Sequence, residues 1–381
     1  MKKKINKVIS PFFLDIDQNE KKLLVNNFKN ILGSGKLILD KFTQEFELKF
    51  AKYVKSKYAI CVNSGTSALE ILITYHIKKK NTKVAVPTNT NFATVASIIK
   101  AGGYPVYIDM DLENYCASYD DFKRKYNKYS FKGIVWVHIG GVISKDFIKV
   151  LNFCKKKKIF LIEDCAHAHG SKFKGIFAGN YKDGGAFSFF PTKVMTTIEG
   201  GMITTNDIRL KSFAVSMRNQ GKGQSKFGCY HTDMGNSWRM SEISAAMGIL
   251  QLKKLDKMIF KRKAIYKIYK KNLKSENIKF VSSDHMDQCS YYKFIIICKS
   301  LNHLTYIKEN LKKDNIISGG GVYELPCHQQ PVFKKFGKFA KNLLLSEKFC
   351  PLQICLPLTS GMEQKDAKFV IKNFLEYYVK V

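Results

Sequence analysis

FLIEDCAHAHGSKFKGIFAGNYKDGGAFSFFPTKVMTTIEGGMITTND, residues 160–207, is the stretch from which the rest of the chain can be read. Residues 159–163 form a largely apolar run of a length that suits a buried strand, and an acid, Asp164, closes it. A loop with several glycines follows, and then a second apolar run over 186–190 predicts another strand. That strand delivers Ser188 and, past a proline turn, Lys193. A strand-end acid and a lysine just beyond another strand are the pair that an aldehyde cofactor with a pyridine ring requires. The amine condenses with the aldehyde, and the carboxylate keeps the ring nitrogen protonated so that the ring withdraws electrons. Desolvation also helps a lysine lose its proton, as an amine nucleophile must. The segment therefore predicts a site for pyridoxal phosphate (PLP). Each residue alone has a plainer reading: a lysine among 64 basic residues is a solvated surface group, and a strand-end acid caps a helix. The constellation carries the argument.

EDCAHAHG, followed by GGAFSFFPTK and then EGGMITTND, resembles the DegT/DnrJ/EryC1/StrS family of PLP-dependent aminotransferases, many of which aminate sugar nucleotides. Further pieces appear in order on both sides. A short apolar strand over 58–62 runs into Asn63-Ser64-Gly65-Thr66-Ser67 and a helix over 68–77. Such a turn offers free amides and hydroxyls to a phosphate at the positive end of a helix, although serine and threonine also simply cap helices. The turn is similar to the family's SGT-[SA]-AL element, which implies that Gly65, Thr66 and Ser67 hold the cofactor phosphate, with Ser188 adding a hydroxyl. The resemblance also puts Phe92 on the pyridine ring, against the alternative of an ordinary core phenylalanine. It puts His167, three residues after Asp164, near the ring hydroxyl.

Downstream, GNSWRMSEISAAMGILQLKKLD is similar to the family's G-[YF]-N-x-R segment, whose asparagine reaches the cofactor phosphate of the partner subunit. Here Ser237 occupies that position and Asn236 precedes it, so either one is the candidate. Arg239 is in place as a substrate-side residue. In YELPCHQQPVF, His328 and Gln329 match the family's substrate-side loop with H-x-Q-P; the plain reading is a proline-bounded connection.

Strands and helices alternate every 20–25 residues up to position 162, which predicts a mostly parallel sheet with helices on both faces and ligands at the strand ends. The resemblance implies the fold type I aminotransferase architecture: an arm and large PLP-binding α/β domain over 1–254, then a linking helix and smaller C-terminal domain over 255–381. It also implies a homodimer with sites at the interface.

The chain has 381 residues, 45% hydrophobic and 25% charged, ordinary for an enzyme. Its 64 basic against 31 acidic residues give a net charge of +33. Such a balance suits nucleic acid, an anionic surface or an acidic small molecule. The lysines, however, are spread along the chain beside many Asn, Ile, Tyr and Phe, as an AT-rich coding bias produces. Neither a helix-turn-helix nor a concentrated basic stripe supports a nucleic-acid-binding regulator. Ten cysteines show no paired metal spacing, and Cys61, Cys165 and Cys298 sit in apolar runs, so no metal is expected and a reducing cytoplasm fits. The N-terminus lacks a secretory pattern, and no apolar run reaches membrane-spanning length.

The resemblance thus implies that Lys193 carries PLP, Asp164 holds its ring charge, glutamate donates the amino group, and an anionic keto compound receives it. A nucleotide-linked keto sugar of surface-polysaccharide synthesis is the expected acceptor. A small phosphorylated ketone, such as dihydroxyacetone phosphate giving serinol phosphate, is the alternative.

Overall fold

In the computed structural model, residues 7–223, 230–319 and 321–380 are described. The basic start of the arm (1–6), the middle of the glycine-rich loop (224–229), and Gly320 of the triple-glycine run lie outside them. Helix α1 (Gln18–Ser34) starts on a capping box between Asp17 and Glu20, so the expected arm is helical from Gln18 on. Helix α2 (Lys41–Val54) follows, and then a strand–helix alternation: β1 (Tyr58–Val62), α3 (Gly65–His76), β2 (Thr82–Pro87), α4 (Phe92–Lys100) and β3 (Gly103–Ile108). It continues through α5 (Tyr119–Tyr129), β4 (Gly133–Val137), α6 (Phe147–Lys157) and β5 (Phe160–Asp164). A two-residue pair, β6 (Lys172–Phe173) and β7 (Ile176–Phe177), precedes β8 (Gly185–Ser188) and β9 (Gly201–Thr205). Helices α7 (Ile208–Arg218), α8 (Glu242–Lys253) and α9 (Leu255–Ser275) come next. The C-terminal layer has β10 (Phe294–Ile297), α10 (Leu301–Lys313), α11 (Leu344–Phe349), β11 (Gln353–Leu356) and α12 (Gln364–Val379).

Seven strands form one sheet in the order β1-β9-β8-β5-β4-β2-β3. Strands β2, β3, β4, β5 and β8 pair in parallel, while β9 runs antiparallel to both β8 and β1. The expected mostly parallel sheet is thus present, with one reversed strand. Side chains alternate between two apolar layers, one on each face. Along β1, Ala59 and Cys61 join Phe46, Phe50, Phe187 and Trp136, whereas Ile60 and Val62 join Leu69, Leu72 and Val95 on the other face. Such burial on both faces is what a parallel sheet demands.

Two strands are shorter than the sequence predicts. The strand expected over 186–190 ends at Ser188, ahead of Pro191, which has no N–H to donate to a ladder. The apolar run over 291–298 also predicts a strand, which begins at Phe294 because Tyr291 takes a left-handed conformation (φ 52°) that breaks the extended run. The nine described cysteines are all buried and unpaired. Among the described residues, no helix is long and apolar enough to cross a membrane.

Candidate active site

The C-terminal ends of β5 and β8, the N-terminus of α3 and a segment of the C-terminal layer enclose a cavity of about 410 Å³. That volume is in the range of small-molecule sites. Among its lining residues are Gly65, Thr66, Asp164, His167, Ser188 and Lys193, six of the residues singled out from sequence.

Asp164 is the last residue of β5, and Cys165 and Ala186 continue the pairing with β8 beside it. Its carboxylate accepts from the Thr94 hydroxyl at 2.9 Å and from the Ala166 N–H at 3.1 Å. Burial pushes its carboxyl above the ordinary value, opposed by those two donors and by the charges of Lys193 and His138. Among the described residues it has no ion-pair partner, so a buried acid faces the cavity without a cation at bonding distance.

Two close approaches bring the other components together. Strand β9 lies so near the turn after β1 that a Cβ on Gly201 would meet the carbonyl of Ser64 at 2.3 Å. A Cβ on Gly65 would meet that of Ser188 at 2.7 Å. Glycine at both positions therefore lets the first turn of α3 press against Ser188, bringing free amides and a hydroxyl to one end of the cavity. Ser64 caps the helix, accepting from the Ser67 N–H at 3.1 Å. Thr66 lines the cavity, but Ser67 does not: its hydroxyl turns back to Asn63 Oδ1 at 2.7 Å and the Ser64 carbonyl at 2.8 Å. Lys193 closes the proline turn, its N–H bonded to the Phe190 carbonyl at 3.0 Å.

His167 is buried, and its Nδ1 accepts from the Gly140 N–H at 3.3 Å. Burial, together with Lys193, Lys293 and His169, drives its basicity well below the ordinary histidine value. The ring is therefore neutral with its hydrogen on Nε2, which faces the Tyr323 hydroxyl at 3.5 Å. On one side it stacks against Tyr292, with centroids 4.3 Å apart.

The remaining sequence candidates stand outside this cavity. Phe92 is exposed at the first turn of α4 and stacks on Phe333 at 5.3 Å, while its neighbours Asn91 and Ala93 line the cavity. His328 bonds the Thr88 hydroxyl at 2.6 Å and Glu347 at 3.0 Å, and Gln329 is exposed. Asn236 and Ser237 are exposed on the surface of the same chain. The Ser237 hydroxyl accepts from Arg239 at 2.6 Å, and Arg239 also reaches Asn219 at 3.0 Å.

Sequence reading missed Thr94, Tyr292 and Tyr323. Thr94 sits inside an apolar helix and looks like any helical threonine. Tyr292 and Tyr323 come from the C-terminal layer, where no local pattern distinguishes them from core tyrosines.

A model of the DegT/DnrJ/EryC1/StrS aminotransferase family matches residues 18–375. GDP-perosamine synthase of Escherichia coli O157:H7 is 31% identical over 338 residues, covering 88% of this chain and 90% of that protein. UDP-4-amino-4,6-dideoxy-N-acetyl-beta-L-altrosamine transaminase of Campylobacter jejuni is 32% identical over 391 residues, covering 96% of each. Among solved structures, the Helicobacter pylori aminotransferase PseC superposes with a TM-score of 0.88 at 23% identity, over 98% of this chain and 100% of that one.

Proposed function

The chain belongs to the DegT/DnrJ/EryC1/StrS aminotransferase family, and from that premise we propose that it moves an amino group from glutamate to the keto group of a nucleotide-linked sugar. The observation that carries this is the buried Asp164 carboxylate sharing a cavity with Lys193 and the amide-rich turn at Gly65. The donor set fits pyridoxal phosphate. An acid lacking a cation suits a protonated ring nitrogen, and the turn that would be blocked by a Cβ at Gly65 or Gly201 suits a phosphate.

In this reading, Asp164 holds the ring nitrogen protonated, and Thr94 and the Ala166 N–H fix the carboxylate for that task. Gly65, Thr66 and Ser188 hold the phosphate. Ser67 supports the turn through Asn63, and Phe92 flanks the cavity through Ala93. The neutral His167 offers its Nε2 hydrogen to a ring oxygen. Bound PLP supplies an aldehyde to take up the amino group and an electron sink that loosens the adjacent C–H bond. Lys193 Nζ removes that proton and returns it on the acceptor side, acting as general base and then acid. Tyr323 lines the cavity from the smaller domain, which we take to be residues 255–381, and Tyr292 backs the His167 ring, so that both help to exclude water from the proton transfer.

The exposed Asn236 and Ser237, with the half-buried Arg239 bonded to Ser237, would serve the partner's cavity in a homodimer, while His328 and Gln329 would lie toward the acceptor. Support for a sugar acceptor comes from the names of relatives that cover most of the chain: GDP-perosamine synthase, and a spore coat polysaccharide biosynthesis protein of Bacillus subtilis. To test it, PLP-loaded protein is incubated with glutamate and either a panel of nucleotide-linked 3-keto and 4-keto sugars or dihydroxyacetone phosphate. Mass spectrometry should find 2-oxoglutarate and an amino-sugar nucleotide. Amination of the three-carbon phosphate alone would sink the sugar acceptor.

A further inference from the structure

We propose that Tyr292 is a positioning residue for Lys193, its aromatic face serving as the seat on which the lysine ammonium rests whenever it holds a proton. The inference rests on the reading of Lys193 as the cofactor-bonding amine. Lys193 Nζ stands over the Tyr292 ring, 5.1 Å from its centroid. A cation within about 6 Å of a tyrosine face is attracted by the ring quadrupole, more strongly where water is excluded. Tyr292 is buried, and three contacts hold its ring. Its hydroxyl meets Thr192 Oγ1, next to Lys193, at 3.3 Å. It stacks on His167, and Lys293 Nζ lies 5.2 Å from the same centroid. The seat is thus fixed to the cofactor turn on one side and to the His167 ring on the other.

The need for such a seat follows from what surrounds the amine. Asp164 feels the charge of Lys193, and Glu199 lines the same cavity. Lys293 and the buried Arg262 place further positive charge around the Tyr292 ring. His167 and His169 are neutral by burial, and Tyr323 is a half-buried phenol whose proton is held well above the ordinary range. Asp164 is also the group assigned to the ring nitrogen, so once that bond forms the Tyr292 face is left beside the amine, with Glu199 exposed among the lining residues. The Tyr292 phenol itself feels burial, which raises it, and Lys193 and Lys293, which prevail and lower it.

The test is the pH profile with which apoenzyme captures PLP, followed by absorbance. Capture requires the neutral amine, so removing the ring should let the amine shed its proton at lower pH. Tyr292→Leu should move the profile down by about one pH unit, tenfold in proton affinity. Tyr292→Phe, which keeps the face, should stay close to the parent. Lys293→Met, which removes a competing charge, should move it up. Because Tyr292→Leu alters packing, mono-, di- and trifluorophenylalanine at position 292 supply near-isosteric replacements that weaken the quadrupole stepwise; the profile should fall with each fluorine. A flat fluorine series would overturn the seat, as would a Tyr292→Leu variant that folds and keeps the parental profile. Failure of the parent to capture PLP at all would instead overturn the assignment of Lys193.

Discussion

Among the described residues, Asp164 is buried without an ionic partner, and this has a cost in the apoenzyme that the cofactor would relieve. Its carboxyl is raised above the ordinary value in the folded state, so the folded chain keeps a proton that the unfolded chain has released. Stability from this residue is therefore present at low pH and is lost as pH rises through the raised value. Asp164→Asn removes that loss. We expect the variant apoenzyme to melt higher than the parent near neutral pH, on the order of 2 °C, with the gap closing as pH falls. Turnover in the same variant should collapse, because a neutral amide cannot hold a ring nitrogen protonated. A higher melting point with unimpaired turnover would refute the role. For Lys193→Ala the expectation is a fall in kcat of about 10³-fold or more with the fold retained, read by steady-state kinetics and circular dichroism. Both residues were legible in sequence because each ends or follows a strand at a recognisable motif. Thr94 and Tyr292 were not, since their roles come from three-dimensional neighbours 70 and 100 positions away, respectively.

Among the elements, α2 and α8 show how the helices on one face of the sheet are tied together. Glu242, at the first position of α8, accepts from the Asp40 N–H at 2.8 Å, the Phe42 N–H at 2.6 Å and the Thr43 N–H at 3.1 Å, and from the Thr43 hydroxyl. One buried carboxylate thereby satisfies the open amides at the start of α2, a helix with no side-chain cap of its own. Glu242→Ala leaves the buried Thr43 donors and the half-buried Asp40 and Phe42 amides unpaired and should cost about 3 kcal/mol or more, measured by urea denaturation. A loss under about 1 kcal/mol would mean that water replaces the carboxylate. Nothing in the local sequence marks Glu242, because its partners lie some 200 positions earlier and no helical periodicity announces them. The β1–α3 turn, by contrast, was legible because its partners are local. Where the expected strands ran long, at 189–190 and 291–293, hydropathy extended them past Pro191 and past the left-handed Tyr291.

For the whole molecule, a charge of +33 is a source of self-repulsion that the folded state concentrates. Screening should relieve it. We expect the melting temperature to rise by several degrees as NaCl increases from roughly 0.02 to 0.3 M, over which the Debye length shortens from about 20 to 6 Å. A melting point that falls with salt would show that ion pairs outweigh repulsion. The sheet order carries a different consequence, for synthesis. Strand β1 is the first to leave the ribosome, yet its neighbour is β9, with Tyr58 opposite Thr205. While the intervening strands are being translated, β1 must wait with its hydrogen-bonding edge open to any other chain. The nascent protein therefore passes through a long interval of exposure to mispairing, and a translational slowdown or chaperone engagement before residue 205 would fall when the chain is most vulnerable.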